Sequence, residues 1–452
     1  MVSAASRPRT LSTAPVDRAA LLAAFTRTRA RSRGLFDMLA PDRYYDRPIA
    51  LRHPIVFYEG HLAAFNVIVV IKKGLGRPGV DEALERLFAR GIDPDSEADA
   101  DRAQEAWPSR DEVRQYASAA DALVVEALAS APIDQSGHPI LDRAEGVHAI
   151  LEHEAMHQET LTYIWHRLPH EAKSPASLPS LDTGGEAPAR VRARIPAGQA
   201  MLGTAASARE FSWDNERPAV RMDVPAFEID QHNVTNADFL RFVEAGGYDQ
   251  RDWWTDAAWA RREAHGRAHP LFWERSGDGW TWRGQFESVP LPAPWPVWVT
   301  FDEAAAYARW QRARLPTEAE YHRAAFGTPD GVEREHPWGS APPAPEHGNF
   351  DFRHWDPVPV GSYPAGASAW GVHDLVGNGW EWTSTPFAGF PGFTPLPSYP
   401  EYSADFFDGQ HYVIKGASPV TARGLVRRSF RNWFRPDYPY VYAAFRTVSG
   451  EG

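Results

Sequence analysis

The stretch His153-Glu154-Ala155-Met156-His157 places two imidazole side chains four residues apart. Side chains at that spacing lie on one face of an α-helix, so His153 and His157 can bind the same metal ion. The same five residues match H-E-x-x-H, in which the glutamate is the general base of a zinc metalloprotease. The stretch therefore predicts a metal site whose third ligand must come from elsewhere in the chain.

His61 is the candidate third ligand. It shares an apolar stripe with Phe57, Ala64 and Ile68, which predicts a helix with a buried face. Three neutral imidazoles leave open coordination positions that suit iron with O₂ or zinc with water. The residue types alone leave three interpretations open: an iron site, a zinc site, and core histidines that bind no metal.

The composition excludes several classes of protein. The chain has 452 residues, a formal net charge of −12 and no cysteine. Because it is acidic and lacks a lysine- or arginine-rich run, we do not expect it to bind nucleic acid. Without cysteine it has no disulfides, thiolate ligands or cysteine nucleophile, so any metal must be held by His, Asp or Glu. The longest apolar run, around residues 67–71, is too short to cross a membrane, and we expect a soluble, cytoplasmic protein.

Helices must position these histidines, and the segment from residue 16 to residue 168 has helical periodicity. The fourth predicted helix carries His153 and His157 on an otherwise apolar stripe. Helices joined in this way predict a four-helix bundle, whose interior is a usual place for metal sites. The predicted helices run roughly over Val16–Leu39, from Pro54 onward, over Asp111–Leu128 and over Leu141–Leu168.

The composition changes on either side of the bundle. Residues 1–15 are predicted to be a disordered tail, and residues 169–189, rich in Ser, Pro, Gly and Glu, a linker. Residues 190–452 contain short apolar segments and many tryptophans, with clear helical stretches near Asn236–Ala245 and Phe301–Ala313. The predicted fold is therefore a helical bundle followed by an irregular α+β domain.

Several runs resemble a known family, the ergothioneine sulfoxide synthases. Its members are built from a DinB-like four-helix bundle and a formylglycine-generating-enzyme-like, C-type-lectin-related domain. The resemblance extends over most of the chain, and its C-terminal runs are expected to pack the domain core rather than to act in catalysis. Besides the segments around His61 and His153, the matching runs are Ile195-Pro196-Ala197-Gly198, Val234-Thr235-Asn236, Arg314-Leu315-Pro316-Thr317-Glu318-Ala319-Glu320 and Gly377-Asn378-Gly379-Trp380-Glu381-Trp382-Thr383.

The resemblance implies that His61, His153 and His157 hold a non-haem Fe(II). In this family the enzyme uses O₂ to join sulfur to the imidazole of hercynine, the trimethylated form of histidine. A metal with three adjacent open positions converts an encounter of three reactants into one oriented step. Calcium binding in the C-terminal domain follows from the same analogy alone.

A quaternary ammonium such as that of hercynine is attracted to aromatic faces. Two aromatic runs, Ser429–Phe434 and Thr385–Phe393, match active-site segments of the family. By that match Asn432 would bind the carboxylate or ammonium end of hercynine, with Trp433 beside it and Phe387 as a further candidate. The alternative interpretation is that these aromatic residues only fill the core.

Three positions depart from the family pattern and bear on the chalcogen donor. At the position of Phe390 the family has a tyrosine that donates a proton or electron. At the position of Met156 it has a glutamine that contacts the imidazole, and at the position of Phe434 an aspartate that holds the amino group of γ-glutamylcysteine. Each change removes a polar contact, which disfavours γ-glutamylcysteine. The run Phe57–Asn66 resembles the selenoneine synthase branch, which joins selenium from a selenosugar to hercynine.

The hypothesis drawn from the sequence is oxidative C–Se bond formation, with sulfur transfer from cysteine or γ-glutamylcysteine as the alternative. Tyr438, Tyr440 and Tyr442 are candidates to replace the missing tyrosine. Two remoter hypotheses are a non-catalytic homologue that binds betaines and a zinc hydrolase. The expected partners are hercynine, a selenosugar or thiol, and O₂, with no nucleic acid and no membrane.

Overall fold

The computed structural model describes residues 16–89, 107–175, 177, 180–205 and 210–450. The predicted disordered tail, residues 1–15, lies outside this range. Four long helices form the N-terminal bundle, close to their predicted positions. In chain order the helices here are α1 Arg18–Asp37, α2 Ile55–Asn66, the short α3 Glu82–Leu87, α4 Arg110–Ser130 and α5 Glu145–His166.

Local sequence explains where two of these helices begin. The Asp17 side chain accepts a hydrogen bond from the backbone N–H of Ala20 at the start of α1. Ser109 and Glu112 form a reciprocal capping box at the start of α4. Both arrangements satisfy backbone donors that have no partner in the first helical turn. The predicted bundle is confirmed.

Helix α2 is the central helix of the bundle, and all of its residues are buried. It continues as a π-helix over Val67–Gly74, so the whole segment Ile55–Gly74 is long and apolar enough to cross a membrane. The apolar segment is therefore longer than the run of residues 67–71 that was expected from the sequence. However, 89% of its most apolar window is buried inside the protein, so packing within the bundle accounts for the composition.

The C-terminal part consists of short strands and short helices. A four-stranded sheet in the order β10-β9-β8-β11 contacts the bundle's fourth long helix through Trp380, and its β8–β9 and β9–β10 pairs are antiparallel. The strands are β1 Arg192–Ile195, β2 Gly198–Leu202, β3 Val220–Val224, β4 Phe227–Asp230, β5 Trp273–Ser276, β6 Gly279–Arg283, β7 Ser288–Pro290, β8 Gly379–Pro386, β9 Tyr412–Ala417, β10 Asn432–Phe434, β11 Ala443–Ala444 and β12 Val448–Ser449.

Two helices of this part were not predicted. Within the described residues of this part the α-helices are α6 Asn236–Glu244, α7 Asp256–Ala264, α8 Phe301–Trp310 and α9 Glu318–Phe326. Neither α7 nor α9 has one apolar face and one polar face, because only Ala258 of α7 is buried and nearly all of α9 is buried. A signal for α9 was present, because Thr317 and Glu320 form a capping box at its start.

The start of the predicted linker packs against the C-terminal domain. Nε2 of His170 donates a hydrogen bond to the carbonyl of Gly284 at 3.1 Å. Nζ of Lys173 donates to the carbonyl of Gln285 at 2.6 Å, and Lys173 is buried. These contacts attach the end of the bundle to the domain that follows it. The domain boundaries at residues 168 and 190 stay predictions.

Candidate metal centre and substrate site

His61, His153 and His157 come together inside the bundle. One nitrogen of each ring lies within 4.8 Å of a nitrogen of the other two, and in the described residues this is the group of His, Asp or Glu side chains arranged to hold a metal ion. Helix α2 supplies His61, and α5 supplies the other two from one face. The predicted juxtaposition of the three side chains is thus present.

The orientation of His61 is fixed by a backbone carbonyl. Its Nδ1 lies 2.8 Å from the oxygen of Phe88. A carbonyl can only accept, so the proton is on Nδ1 and the lone pair of Nε2 points at the other histidines. The neighbouring Gly60 permits this arrangement, because a Cβ there would lie 2.4 Å from the Phe88 ring.

The three imidazoles are neutral at pH 7. Burial lowers the pKa of His61 to about 4. Burial, followed by the charges of the neighbouring histidines, holds the pKa of His153 well below its ordinary value, and burial with the charges of His61 and Arg52 does the same for His157. Neutral imidazole is the form that binds a metal ion.

Two ring nitrogens at this site have no protein partner among the described residues, and the donor set suits more than one metal. Nδ1 of His153 and Nδ1 of His157 are buried and have no hydrogen-bond partner in the described part of the chain. Each imidazole can give a metal ion one nitrogen, and on His153 the nitrogen that faces His61 is Nε2, so an ion bound there leaves Nδ1 of that ring without a partner. The donor set of three imidazoles without a carboxylate or thiolate suits iron and zinc alike.

Glu154 is engaged elsewhere. Its Oε1 accepts hydrogen bonds from Nη1 of Arg29 at 2.9 Å and from the hydroxyl of Ser32 at 2.5 Å, and its Oε2 accepts from the amide of Asn66 at 3.3 Å. Glu154 is buried on the side of α5 that faces α1. This position argues against the metalloprotease hypothesis, because a general base must reach the water that it activates.

Two tyrosines that the sequence argument missed lie next to the histidines. The ring of Tyr399 lies 6.0 Å from that of His153 in an edge-on arrangement. The hydroxyl of Tyr402 donates to Sδ of Met156 at 3.1 Å. Met156, the residue before His157, therefore faces the C-terminal domain and contacts a phenol rather than standing free.

A loop of the C-terminal domain brings these tyrosines to the bundle. Tyr402 packs on Trp213 with ring centroids 4.1 Å apart. Asp214 accepts hydrogen bonds from Ser403 and from the backbone N–H of Leu396, at the two ends of the loop. The sequence signal was the spacing of Tyr399 and Tyr402, three residues apart in a segment close to the predicted aromatic run.

An aromatic group continues from Tyr402 into β10. Trp433 stacks on Phe387 with centroids 4.1 Å apart and planes 7° from parallel. Tyr402 lies edge-on to Trp433 at 5.3 Å, and Phe406 lies 5.5 Å away. Trp433, Tyr402 and Phe406 are half-buried, so the group borders solvent. Such a set of ring faces and edges can take a quaternary ammonium.

Asn432 and Phe434 flank Trp433 on the strand. Oδ1 of Asn432 accepts a hydrogen bond from the backbone N–H of Trp433 at 2.9 Å, which orients the amide. The ring of Phe434 stacks on that of Tyr438 at 5.1 Å. Nε of Arg52, from the segment before α2, donates to the hydroxyl of Tyr438 at 3.0 Å. Tyr438, with Phe434 stacked on it, thus lies at the boundary between the two parts of the chain.

The other two tyrosine candidates differ in position. Tyr440 lies edge-on to Tyr438 at 5.2 Å. Tyr442 is buried and hydrogen-bonded through its hydroxyl to Nδ1 of His166 at 2.9 Å, and it stacks on Trp298. It therefore belongs to the packing between the end of α5 and the C-terminal core, away from the histidine group.

Phe390 lies in the C-terminal domain beside Arg431, and its predicted role stays a prediction. Its ring lies under the guanidinium of Arg431, 4.2 Å from the ring centroid, in a loop after β8. The phenol next to His153 belongs to Tyr399 instead. A phenylalanine at position 390 therefore does not leave the site without a tyrosine.

Comparison with known proteins agrees with this architecture. Residues 24–161 match the DinB superfamily, and residues 180–450 match the sulfatase-modifying factor enzyme 1-like domain. The hercynine oxygenase of Mycolicibacterium thermoresistibile is 36% identical over 430 residues, which cover 92% of this chain and 92% of that protein. The hercynine oxygenase of Mycolicibacterium smegmatis is 35% identical over 409 residues, 88% of this chain and 91% of the relative. This chain belongs to the hercynine oxygenase family.

Membership in the hercynine oxygenase family confirms the predicted fold and the family-level resemblance. A further relative, ergothioneine biosynthesis protein 1 of Schizosaccharomyces pombe, is 28% identical over 91% of this chain and 53% of its own length. The matches to hercynine oxygenases run through both the bundle and the C-terminal domain. Both halves of the candidate site therefore lie inside the region shared with the family.

Proposed function

We propose that this protein is an Fe(II)- and O₂-dependent enzyme that joins a chalcogen atom to the imidazole ring of hercynine. The observation that carries the proposal is the meeting of a three-histidine group from the bundle with an aromatic group from the C-terminal domain. Relatives that match nearly the whole chain are named hercynine oxygenases, which supports hercynine as the substrate.

His61, His153 and His157 would hold the iron. When bound, Fe(II) would supply the redox chemistry with O₂ that forming a carbon–chalcogen bond from a C–H and a chalcogen–H bond requires. The three residues bring neutral nitrogens to one point without needing to lose protons, because their pKa values lie below the ordinary value. The ion keeps its full positive charge, which favours an anionic donor.

The C-terminal domain would hold hercynine. The faces of Trp433 and Tyr402 suit its trimethylammonium group. Because Oδ1 of Asn432 already accepts a hydrogen bond from the backbone, the amide hydrogens are directed to an acceptor, which favours the carboxylate end of hercynine. Held in this way, the imidazole ring would point toward the histidine group across the path marked by Tyr402 and Tyr399.

Tyr399 is the proposed proton donor in place of Tyr438, Tyr440 and Tyr442. Its ring lies beside His153. Its phenol O–H can give up a hydrogen, which the phenyl ring of Phe390 cannot do. Tyr399 is favoured because its ring lies 6.0 Å from the ring of His153. Tyr442 has no part in the proposal, because its hydroxyl is engaged with His166.

For the chalcogen donor we propose a selenosugar, with cysteine or γ-glutamylcysteine as the alternative. The support comes from Met156 and Phe434, which present a thioether and a phenyl ring where an amino acid donor needs polar partners. Phe434 and Tyr438 form a stacked pair. Phe390 adds less support, since Tyr399 brings a phenol to His153.

The test is an assay of purified protein loaded with Fe(II) under anaerobic conditions. Hercynine is supplied with a selenosugar, cysteine or γ-glutamylcysteine, with and without O₂, and products are identified by mass spectrometry. We expect an O₂-dependent hercynine adduct that forms fastest with the selenosugar. Faster product formation with a thiol would overturn the selenium assignment and leave the hercynine chemistry standing. Hercynine binding without turnover would favour a betaine-binding homologue, and hydrolysis without O₂ a zinc hydrolase.

A further inference from the structure

Two carboxylates tie the helix that carries His153 and His157 to the C-terminal domain. Glu152 and Glu159 are seven residues apart on α5, which is two helical turns, so they project from the same face. They bracket Met156 on that face. The opposite side of α5 contacts α1 through Glu154 and Gln158.

Glu159 is held entirely by the C-terminal domain. Its Oε1 accepts hydrogen bonds from Nε1 of Trp380 at 2.6 Å and from the hydroxyl of Ser418 at 2.7 Å. Its Oε2 accepts from the hydroxyl of Thr421 at 2.7 Å. Glu159 is buried, and the three donors take the place of a cation. Hydrogen bonds from several donors to a buried carboxylate are strong and directional, so they fix the rotation of the helix.

Glu152 is held by an arginine of the same domain. Arg427 donates from Nη1 and Nη2 to the two oxygens of Glu152 at 2.7 and 2.9 Å. Its Nε also donates to Glu216 at 2.8 Å, and the hydroxyl of Ser429 donates to the same carboxylate oxygen at 2.6 Å. Arg427 is thus clamped between the helix and the turn that ends at Glu216. A bidentate pair of this kind specifies geometry as well as attraction.

These contacts lie between the domain that carries the histidine group and the domain that carries the aromatic group. All three histidines come from the bundle, whereas Trp433, Tyr399 and Tyr402 come from the C-terminal domain. The distance between metal and bound hercynine is therefore set by the contact between the two domains and not by either one alone. Because misplacement of reacting groups by about 1 Å can cost about 10²-fold in rate, this contact has to be rigid.

We infer that Glu159, together with the Glu152–Arg427 pair, positions the histidine group relative to the hercynine site without taking part in metal binding. The inference rests on the proposed function for the identity of the substrate. It predicts that metal binding and hercynine alignment respond differently when one of these contacts is removed. Loss of a tie leaves the metal site intact, because its ligands all stay in the bundle, and disturbs the alignment of hercynine with the metal.

The experiment uses the full chain with Glu159→Gln and Thr421→Val. Glutamine keeps the size of the side chain but removes the charge and one acceptor oxygen, so its amide oxygen can still accept from Trp380 and Ser418 while the Thr421 hydroxyl loses its acceptor. Thr421→Val removes one donor from the other side of the same contact. The matched control is Arg31→Ala, because Arg31 also joins the two domains, through an ion pair to Asp351 at 3.0 Å that is partly exposed.

Three quantities are measured for each variant. The first is the affinity for Co(II), a spectroscopic substitute for iron, determined without O₂. The second is the change that hercynine causes in the visible spectrum of the Co(II) protein. The third is the ratio of product formed to O₂ consumed by the Fe(II) protein. The first two need no turnover.

We expect both variants to bind Co(II) like the wild type and to lose most of the hercynine-induced spectral change. Turnover should fall by about 10²-fold, with less product per O₂, while Arg31→Ala resembles the wild type. The double variant should be no worse than Glu159→Gln alone, since both remove the same contact. Unchanged spectra and unchanged product per O₂ in Glu159→Gln would overturn the inference, as would loss of Co(II) binding. A wild-type protein that shows no response to hercynine would instead refute the proposed function.

Discussion

The Nε2 atoms of His61 and His153 lie 3.3 Å apart, although 92 positions separate the two residues in the chain. The proton of His61 is on Nδ1, bonded to the Phe88 carbonyl, so a lone pair of Nε2 faces His153. Either a proton from His153 or a metal ion can satisfy this lone pair. The third imidazole, from His157, favours the metal ion, because a proton shared by His61 and His153 would leave His157 out, whereas an ion can be bound by one nitrogen of each ring.

Replacing a histidine of this group should abolish metal binding. For His157→Ala we expect the Fe(II) or Co(II) affinity to fall by more than about 100-fold, because even partners outside the ligand set cost 10–100-fold. Equilibrium dialysis without O₂ measures this. The control is His148→Ala on the same helix, where the ring stacks on Phe211. Equal losses in both variants would count against the three-histidine site.

The phenol of Tyr399 should matter for turnover and not for binding. Tyr399→Phe keeps the ring beside His153 and removes the hydroxyl, so metal and hercynine affinities stay the same and the rate of product formation falls by about 10²-fold or more. Single-turnover kinetics separate the two effects. Phe390→Tyr is the companion variant, and we expect it to leave the rate unchanged. A faster enzyme with tyrosine at 390 and a normal rate for Tyr399→Phe would reverse the assignment.

Trp433 should contribute to hercynine binding through its ring face. For Trp433→Leu we expect hercynine affinity to weaken by roughly tenfold, which corresponds to a cation–π contribution of about 1–2 kcal/mol. Trp433→Phe should lose less. Calorimetric titration with hercynine, repeated with histidine, measures the dependence on the trimethylammonium group. A similar loss for both ligands would show that Trp433 acts through packing on Phe387 alone.

Glu154 should be a stability residue. Glu154→Ala leaves the buried guanidinium of Arg29 with Asp121, at 2.7 Å, as its carboxylate partner. We expect the free energy of unfolding to fall by about 3 kcal/mol, in the range for breaking a buried ion pair. Urea denaturation measures the change, with the exposed Glu126→Ala as control. An unaltered stability together with lost activity would revive the hydrolase hypothesis.

Lys173 should make stability depend on pH. Burial, reinforced by the charge of Arg283, lowers the pKa of Lys173 to about 7 in the folded chain. Between pH 7 and the ordinary lysine value the unfolded chain holds a proton that the folded chain lacks, so the wild type gains stability as pH rises through this window. Below pH 7 Lys173 is protonated in both the folded and the unfolded chain, and the folded chain then bears the full free-energy cost of burying a charged ammonium group.

The variant Lys173→Met removes this contribution. The free energy of unfolding of the variant, relative to that of the wild type, should be highest at pH 6. Above pH 7 this difference should change in favour of the wild type by up to about 1.4 kcal/mol per pH unit. Urea midpoints of the two proteins at pH 6, 7.5 and 9 give the comparison. A difference that stays constant with pH would show that Lys173 keeps its proton when folded.

The sequence alone determined the features that depend on local spacing. The four-residue separation of His153 and His157 required only that the segment be helical, and helical periodicity in the bundle was strong. The family came instead from the resemblance of the His61 segment and of the C-terminal runs. The short helices α7 and α9 were missed because one is exposed on nearly all sides and the other is buried on nearly all sides, so neither has an apolar stripe.

Only the tertiary structure decided which side chains complete the site and which do not. Glu154 is adjacent to a ligand in sequence, yet Arg29, 125 positions away, holds it on the far side of the helix. Tyr399 is remote from the histidines in sequence, yet a loop held by Asp214 brings it to His153. The physical reason is that residue spacing fixes the direction of a side chain within one helix or strand, whereas its partners are set by long-range packing between elements.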